Sequence, residues 1–321
     1  MDQAASLTPE RLLRQLEWRV VRRLDGQLQG DYRSLFRGSG LDFTNLREYE
    51  PGDDLRHIEW NVTARMDTPY VREYIEDREV TAWLLLDHSA SMGFGPVDRQ
   101  KDLVLAEVAT TLALVLTRRG NRVGMVVFDQ DVERILPART GRNQVLQIAD
   151  VLLDRRNARA AAEDTTPAPR ARRRRGRPEK GPQRHATDLG AMLHRSAGMV
   201  RRRSLVVVIS DFISEPGWEQ ALSRLAQRHE VVALHVSDPR ENELPDVGSI
   251  YVEDAETGEQ IFVDTSDPGF RSRLRTAAGE RQEALEAATA SAGVDLHQIR
   301  TDEDLVRSLV RISALRRNRR R

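Results

Sequence analysis

VTAWLLLDHSAS, from Val80 to Ser91, is an apolar run short enough to be a buried strand that empties into an Asp-x-Ser-x-Ser loop. The arrangement offers one carboxylate, Asp87, and two hydroxyls, Ser89 and Ser91, at a strand's end. Oxygen ligands of this kind suit a hard divalent cation, Mg²⁺ above all. Neither hydroxyl titrates usefully near neutrality, so the residues point to binding through a metal rather than to proton transfer.

Working outward, strands and helices alternate after Glu79. The spacing predicts strands over Val80–Leu86, Arg122–Phe128, Leu205–Ile209, Val231–Val236 and Val294–Ile299, with a short edge strand over Asp131–Leu136. Helices are expected over Arg99–Arg118, Asn143–Leu153, Asp188–Arg201, Gly217–Gln227 and Phe270–Ser291. A closing helix over Asp302–Ile312 is expected to be capped by Thr301. Ile250–Glu253 and Gln260–Val263 flank EDAETGE as a β-hairpin. Such alternation argues for a mostly parallel sheet with helices on both faces. Upstream, Thr8–Leu24 reads as an amphipathic helix with Thr8 and Pro9 at its start. Gly30–Glu79 breaks into short Gly-, Asp- and Arg-rich pieces with one strand around Tyr70–Ile75, giving an irregular region over residues 1–79 and a domain over 80–312.

The chain has 321 residues, of which 39% are hydrophobic, enough for a proper core. Without cysteine it has no disulfide, thiolate zinc site or cysteine nucleophile, which leaves oxygen and imidazole ligands. No apolar run approaches the roughly 20 residues of a membrane helix, and the first residues lack a signal peptide's apolar stretch, so a cytoplasmic protein is expected. A formal net charge of zero conceals a local imbalance: Arg155–Arg184 holds eleven Lys or Arg against three acids, and the tail after Ile312 ends in five Arg among its last six residues. Residues 156–184 contain almost no large apolar side chain and read as a disordered insertion, with 313–321 as a basic tail. Lys occurs only at 101 and 180, which reads as genomic base composition rather than a recognition task.

An Asp-x-Ser-x-Ser triplet alone arises by chance in roughly one chain in ten. Its context sharpens it. A second apolar strand, LVVVIS, also ends in an aspartate, Asp211, and HATDLGAML places Thr187 just before a helix. In open parallel sheets ligands gather outside the carboxyl ends of strands where the strand order reverses, and all three segments supply oxygens from such positions. Each residue also has a structural reading: the aspartates as helix caps, the serines bonded to loop amides, Thr187 as an N-cap. Jointly, the five are read as a site.

The order Asp-x-Ser-x-Ser, then Thr, then Asp resembles the metal-ion-dependent adhesion site of von Willebrand factor type A domains. GSGLDFTNLREYEPGDDLRHIEWNVTAR (Gly38–Arg65), DHSASMGFG and VVVISDF together resemble the bacterial family catalogued as domain of unknown function 58. The resemblance implies an α/β, Rossmann-like type A fold in which Asp87, Ser89 and Ser91 hold Mg²⁺ (or Mn²⁺), with Thr187 and Asp211 coordinating directly or through water. It implies a non-enzymatic adaptor whose metal takes an acidic side chain of a protein partner, working with a MoxR-type AAA+ ATPase in assembly or maturation of other proteins. One departure is Ala186, where many type A domains carry Gly. Mg²⁺ asks for six oxygens, and an outside carboxylate would both fill and neutralise the site.

Three other readings compete. Two aspartates at strand ends also describe metal-dependent phosphohydrolases, but those place a second carboxylate two residues beyond the nucleophile, where this chain has Ser89. The Arg-rich insertion would attract nucleic acid phosphates, yet it lacks aromatics to stack bases. His88, His185 and His194 show no convincing zinc spacing. No G-x-x-x-x-G-K-[ST] loop is present, so ATP chemistry would belong to another protein. Within Gly38–Arg65, the architectural reading packs Tyr49 and Trp60 on the domain, with a turn at Pro51–Asp54 and pairing among Arg47, Arg56 and Glu59; the sharper reading makes the segment a docking face.

Overall fold

In the computed structural model, residues 7–18, 45–51, 53, 55, 58–66, 68–73, 80–95, 99–129, 132–165, 187–253 and 260–319 are described. The chain runs through α1 (Pro9–Leu16), β1 (Asn45–Glu48), α2 (Trp60–Met66), β2 (Tyr70–Glu73), β3 (Thr81–Asp87), α3 (Lys101–Thr117), β4 (Arg122–Phe128), β5 (Val132–Arg139) and α4 (Arg142–Thr165). It continues with α5 (Leu189–Met199), β6 (Leu205–Ser210), α6 (Trp218–Arg228), β7 (Glu230–Ser237), the one-turn α7 (Pro239–Asn242), β8 (Ser249–Glu253), β9 (Gln260–Asp264), α8 (Pro268–Ser291), β10 (Asp295–Arg300) and α9 (Leu305–Arg319).

Strands that are apolar at successive positions need cover on both faces, and this decides the architecture. Six strands form one sheet in the order β10-β7-β6-β3-β4-β5. All neighbours run parallel except β5, which closes the edge antiparallel to β4. Leu84 and Leu86 of β3 and Val207 and Ile209 of β6 face one layer, with Val104, Val108 and Leu112 of α3, Val145 and Ile148 of α4, Leu309 of α9 and Leu12 and Leu13 of α1. Leu85, Val206 and Val208 face the other, with Leu189 and Met192 of α5, Leu222 and Leu225 of α6 and Leu285 of α8. This is the expected α/β fold with a central, mostly parallel sheet between two helical layers.

From β3 the chain builds outward through β4 to β5, then returns to place β6 on the opposite side of β3. The strand order therefore reverses between β3 and β6, the place where open α/β sheets leave a crevice at their carboxyl ends. Asp87 is the last residue of β3, and Asp211 directly follows β6.

Local chemistry explains where several elements begin and end. The hydroxyl of Thr8 accepts from the Arg11 amide at the start of α1, and Asp267 accepts from the Gly269 and Phe270 amides ahead of α8. Four expectations are corrected. The last helix begins at Leu305, because Asp304, not Thr301, caps it through the Arg307 amide. Residues 156–165 are helical and not part of a disordered insertion: Ala and Arg favour continuing α4, and Arg156 meets Asp102 at 3.5 Å. The remainder of that insertion, residues 166–186, lies outside the described residues. The edge strand β5 extends to Arg139, beyond the expected end at Leu136. Trp60 is 69% exposed rather than packed, and Arg47 pairs with Asp53 at 2.6 Å; Arg56 lies outside the described residues. The strand β2 pairs antiparallel with β1, a partner the sequence did not suggest.

The register across β3 and β4 sets Gly124 opposite Trp83. A Cβ on Gly124 would lie 2.8 Å from Cε3 and Cζ3 of the indole and 3.1 Å from the Ala138 amide nitrogen. The ring takes the room a side chain would need. Gly124→Ala is expected to destabilise the protein by about 1–3 kcal/mol through overpacking, read as a lowered urea midpoint at unchanged slope.

Candidate metal centre

Asp87, Ser89, Ser91, Thr187 and Asp211 are all buried, each no more than 6% exposed. The two aspartates do the same thing with their first oxygen. Asp87 Oδ1 accepts from the Ser89 amide at 3.0 Å, and Asp211 Oδ1 accepts from the Ile213 amide at 3.0 Å. Each carboxylate is thus oriented by the backbone two residues on, an Asx turn at the end of its strand. Neither aspartate is the cap of a following helix, since Gln100 and Gly217 stand at the N-caps of α3 and α6, and the second oxygen of each is left to decide the chemistry.

Those second oxygens differ. Asp87 Oδ2 accepts from the Ser210 hydroxyl at 2.6 Å, so the end of β6 holds the carboxylate of β3. The Ser210 hydroxyl oxygen in turn accepts from the Phe212 amide at 2.8 Å. Asp211 Oδ2 accepts from the ammonium of Lys101 at 2.7 Å. Ser89 Oγ and Ser91 Oγ lie 3.0 Å apart in the turn that follows β3. Thr187 is not the N-cap of α5; Asp188 is, accepting from the Ala191 amide. The carbonyl of Thr187 accepts from the Ser214 hydroxyl at 2.7 Å and from the Glu215 amide at 3.1 Å, which ties the segment before α5 to the loop carrying Asp211. Asp87 is thus tied to Ser89 and to Ser210, the residue before Asp211; Ser89 touches Ser91, and Thr187 is joined to the loop after β6 through its backbone.

Backbone conformation reinforces this placement. Phe212 has φ 55°, the one positive value at a non-glycine position among the described residues. Such a conformation costs free energy and persists where the surroundings hold it, commonly at functional sites. Here the amide bond to Ser210 and packing of the ring on Trp218, centroids 5.4 Å apart, hold it.

Burial, and after it the charge of Asp211, pushes the Asp87 carboxyl up to about 7, while the hydrogen bonds from Ser210 and Ser89 pull the other way. Its hydrogen-bond donors are neutral. A buried carboxylate beside another, with no cation paired to it among the described residues, is the electrostatic arrangement that a bound cation relieves. Two carboxylates and a hydroxyl pair are hard oxygen donors, so the residues present fit Mg²⁺ or Mn²⁺. Among the described residues no three His, Cys, Asp or Glu side chains cluster to hold a metal, so a cation here would rest on the hydroxyls as well. Of the histidines, His88 is buried with its amide bonded to the Phe128 carbonyl, His194 lies near Arg224 at 3.4 Å, and His185 is outside the described residues.

Sequence reasoning missed Lys101, Ser210, His235 and Glu241. A cavity of about 680 Å³ opens beside Asp211, bordered by Phe212, Trp218, His235, Glu241 and Arg281. Burial lowers His235 to about 4, so its ring is neutral at physiological pH. Glu241 sits on α7, where it completes a capping box with Asp238, and it also meets Lys101. A signal for Lys101 existed. In a chain whose cationic residues apart from Lys101 and Lys180 are Arg, the lysine at the start of α3 is buried, a site for a compact ammonium rather than a planar guanidinium.

A family model described as protein of unknown function DUF58 matches residues 45–284. An uncharacterized protein of Mycobacterium tuberculosis is 35% identical over 305 residues, covering 95% of this chain and 89% of that one. Among solved structures, the conserved hypothetical protein BatB from Bacteroides thetaiotaomicron aligns over 75% of this chain and 100% of its own, with 16% identity and a TM-score of 0.41. Manganese-loaded TRAP protein of Plasmodium vivax aligns over 49% of this chain and 57% of its own, with 18% identity and a TM-score of 0.32.

Proposed function

The chain belongs to the family described as protein of unknown function DUF58, and we propose that this member is a non-enzymatic adaptor that binds an acidic side chain of a protein partner through Mg²⁺ or Mn²⁺. The observation that carries the reading is the pair of buried aspartates at the carboxyl ends of β3 and β6, one of them, Asp87, with only neutral donors among the described residues. Asp87, Ser89 and Ser91 would hold the ion, with Thr187 and Asp211 coordinating directly or through water. When bound, the ion supplies a positive position that a carboxylate can occupy.

The residues of the chain do the rest. Ser210 and the Ser89 amide keep the Asp87 carboxylate in one orientation, so little ordering is left for the moment of binding. The cavity beside Asp211 gives a partner's segment room to approach the strand ends. A MoxR-type AAA+ ATPase is the proposed partner, on the strength of the sequence resemblance. The ATP hydrolysis would be the partner's, since this chain lacks the phosphate-binding loop. No helix among the described residues is long and apolar enough to cross a membrane.

Isothermal titration with Mg²⁺ or Mn²⁺ is expected to show one site in the parent and none in Asp87→Ala. Purification from the host with its associates is expected to recover the ATPase with the parent and not with the variant. A parent indistinguishable from Asp87→Ala in both measurements would exclude the adaptor reading.

A further inference from the structure

Lys101 is an unusual residue for its position. It is the first residue of α3, where the helix macrodipole presents its positive end and a cation is unfavourable. It is also 0% exposed, so its charge has left water at considerable cost. Two carboxylates compensate. The ammonium meets Asp211 Oδ2 at 2.7 Å and Glu241 on its other side, and it lies 6.0 Å from the centroid of the Phe94 ring. Glu241 is itself fixed, because its second oxygen accepts from the Asp238 amide at 3.0 Å. The result is a row, buried Asp211 and Lys101 and half-buried Glu241, which starts at a candidate metal ligand and ends on the turn bordering the cavity.

This row makes the two strand-end aspartates unequal. Both spend one oxygen on the amide two residues on, but the other oxygen of Asp87 meets a neutral hydroxyl and that of Asp211 meets a full positive charge. Building on the metal reading above, we propose that Lys101 is a resident counter-charge that reserves Asp211 for positioning, weakens the pull of the site on a divalent ion, and leaves the loaded site more electropositive toward a partner's carboxylate. Lys101 touches neither the ion nor the partner; it is a positioning residue acting through Asp211. The charge count gives the sense. A divalent ion with Asp87, Asp211 and Glu241 carries one net negative charge without the ammonium and none with it, so Lys101 keeps the loaded site one unit more positive toward an incoming carboxylate.

The test compares Glu241→Gln with Lys101→Met/Glu241→Gln, so that loss of the ammonium is measured without a second carboxylate left facing the gap. Thermal melts first establish that both fold. Titration with Mn²⁺ alone is expected to give about tenfold or more tighter binding in the double variant, as befits removal of a unit charge in contact with a ligand. Acetate added to the Mn²⁺-loaded proteins, followed by water-proton relaxation, is expected to bind the double variant less tightly than the single one. Both shifts are required. Unchanged or weaker Mn²⁺ binding in a folded double variant, or undiminished acetate binding, overturns the role of Lys101 while the metal reading stands. A parent protein that binds no Mn²⁺ removes both.

Discussion

Lys101→Met alone is expected to lower the free energy of unfolding by about 3–5 kcal/mol, the usual cost of stripping one partner from a buried ion pair. The side chains of Lys101 and Asp211 are 0% and 1% exposed, so water cannot take over from the lost ammonium. Glu241, 19% exposed, would be left near a second carboxylate with nothing between them. The loss falls on loops as well as on charge, because this one nitrogen joins the start of α3 to the ends of β6 and β7. Neighbouring Arg99 extends the same clamp to the end of β10, donating to the Thr301 carbonyl at 3.0 Å and to Glu107 at 2.7 Å. Urea unfolding of Lys101→Met, Glu241→Gln and the double variant gives the check. The double variant is expected to be more stable than Lys101→Met, with a coupling between the two positions well above the few tenths of a kcal/mol seen for independent sites.

Asp87→Asn is expected to abolish divalent ion binding and yet to stabilise the metal-free protein above neutrality. The sign follows from linkage. The Asp87 carboxyl is raised to about 7 in the folded protein, chiefly by burial and then by Asp211, against an ordinary value of 3.8 when unfolded. Between those values the folded state holds a proton that the unfolded state has released, so stability falls as pH rises from about 4 to about 7, and the penalty is complete above that range. Asparagine carries no such charge. Subtracting the stability curve of the variant from that of the parent in chelator is expected to leave a difference that becomes more unfavourable to the parent with rising pH and levels off near pH 8. Adding Mg²⁺ at pH 8 is expected to restore the parent and leave the variant unmoved, because only the parent gains a ligand bound to its native state. A flat difference curve would mean that Asp87 is not the buried, cation-seeking carboxylate described above.

The parts of this molecule that were legible in the chain are those set by local pattern. VTAWLLL and LVVVIS read as buried strands because unbroken apolar runs of that length have no other place to go, and both became central strands of the sheet. The hairpin of β8 and β9 followed from its turn-rich centre, and its strands pair Ile250 with Val263 and Val252 with Ile261. The Asp-x-Ser-x-Ser loop could be placed at a strand's end for the same reason. Helix ends were read less well. Thr301 looked like a cap, but its hydroxyl donates to Asp238 at 2.6 Å, a residue 63 positions away, and Asp304 was left to cap α9. Composition assigns Arg156–Thr165 to a disordered insertion, although the same Ala and Arg residues are good helix formers when a preceding helix supplies the nucleus.

The order of apolar and polar residues by itself determined that strands and helices alternate, that an aspartate would stand at the end of two buried strands, and that hydroxyls would accompany the first. Such features depend on neighbours along the chain, where periodicity and short-range hydrogen bonding act. Only the tertiary structure decided that Ser210 bridges the two strand ends, that Lys101 claims Asp211 but not Asp87, and that Glu241 closes the row. Those contacts span 123, 110 and 140 residues. They arise because strand order reverses between β3 and β6, and a charge buried there must find its partner in space, whatever its distance in sequence.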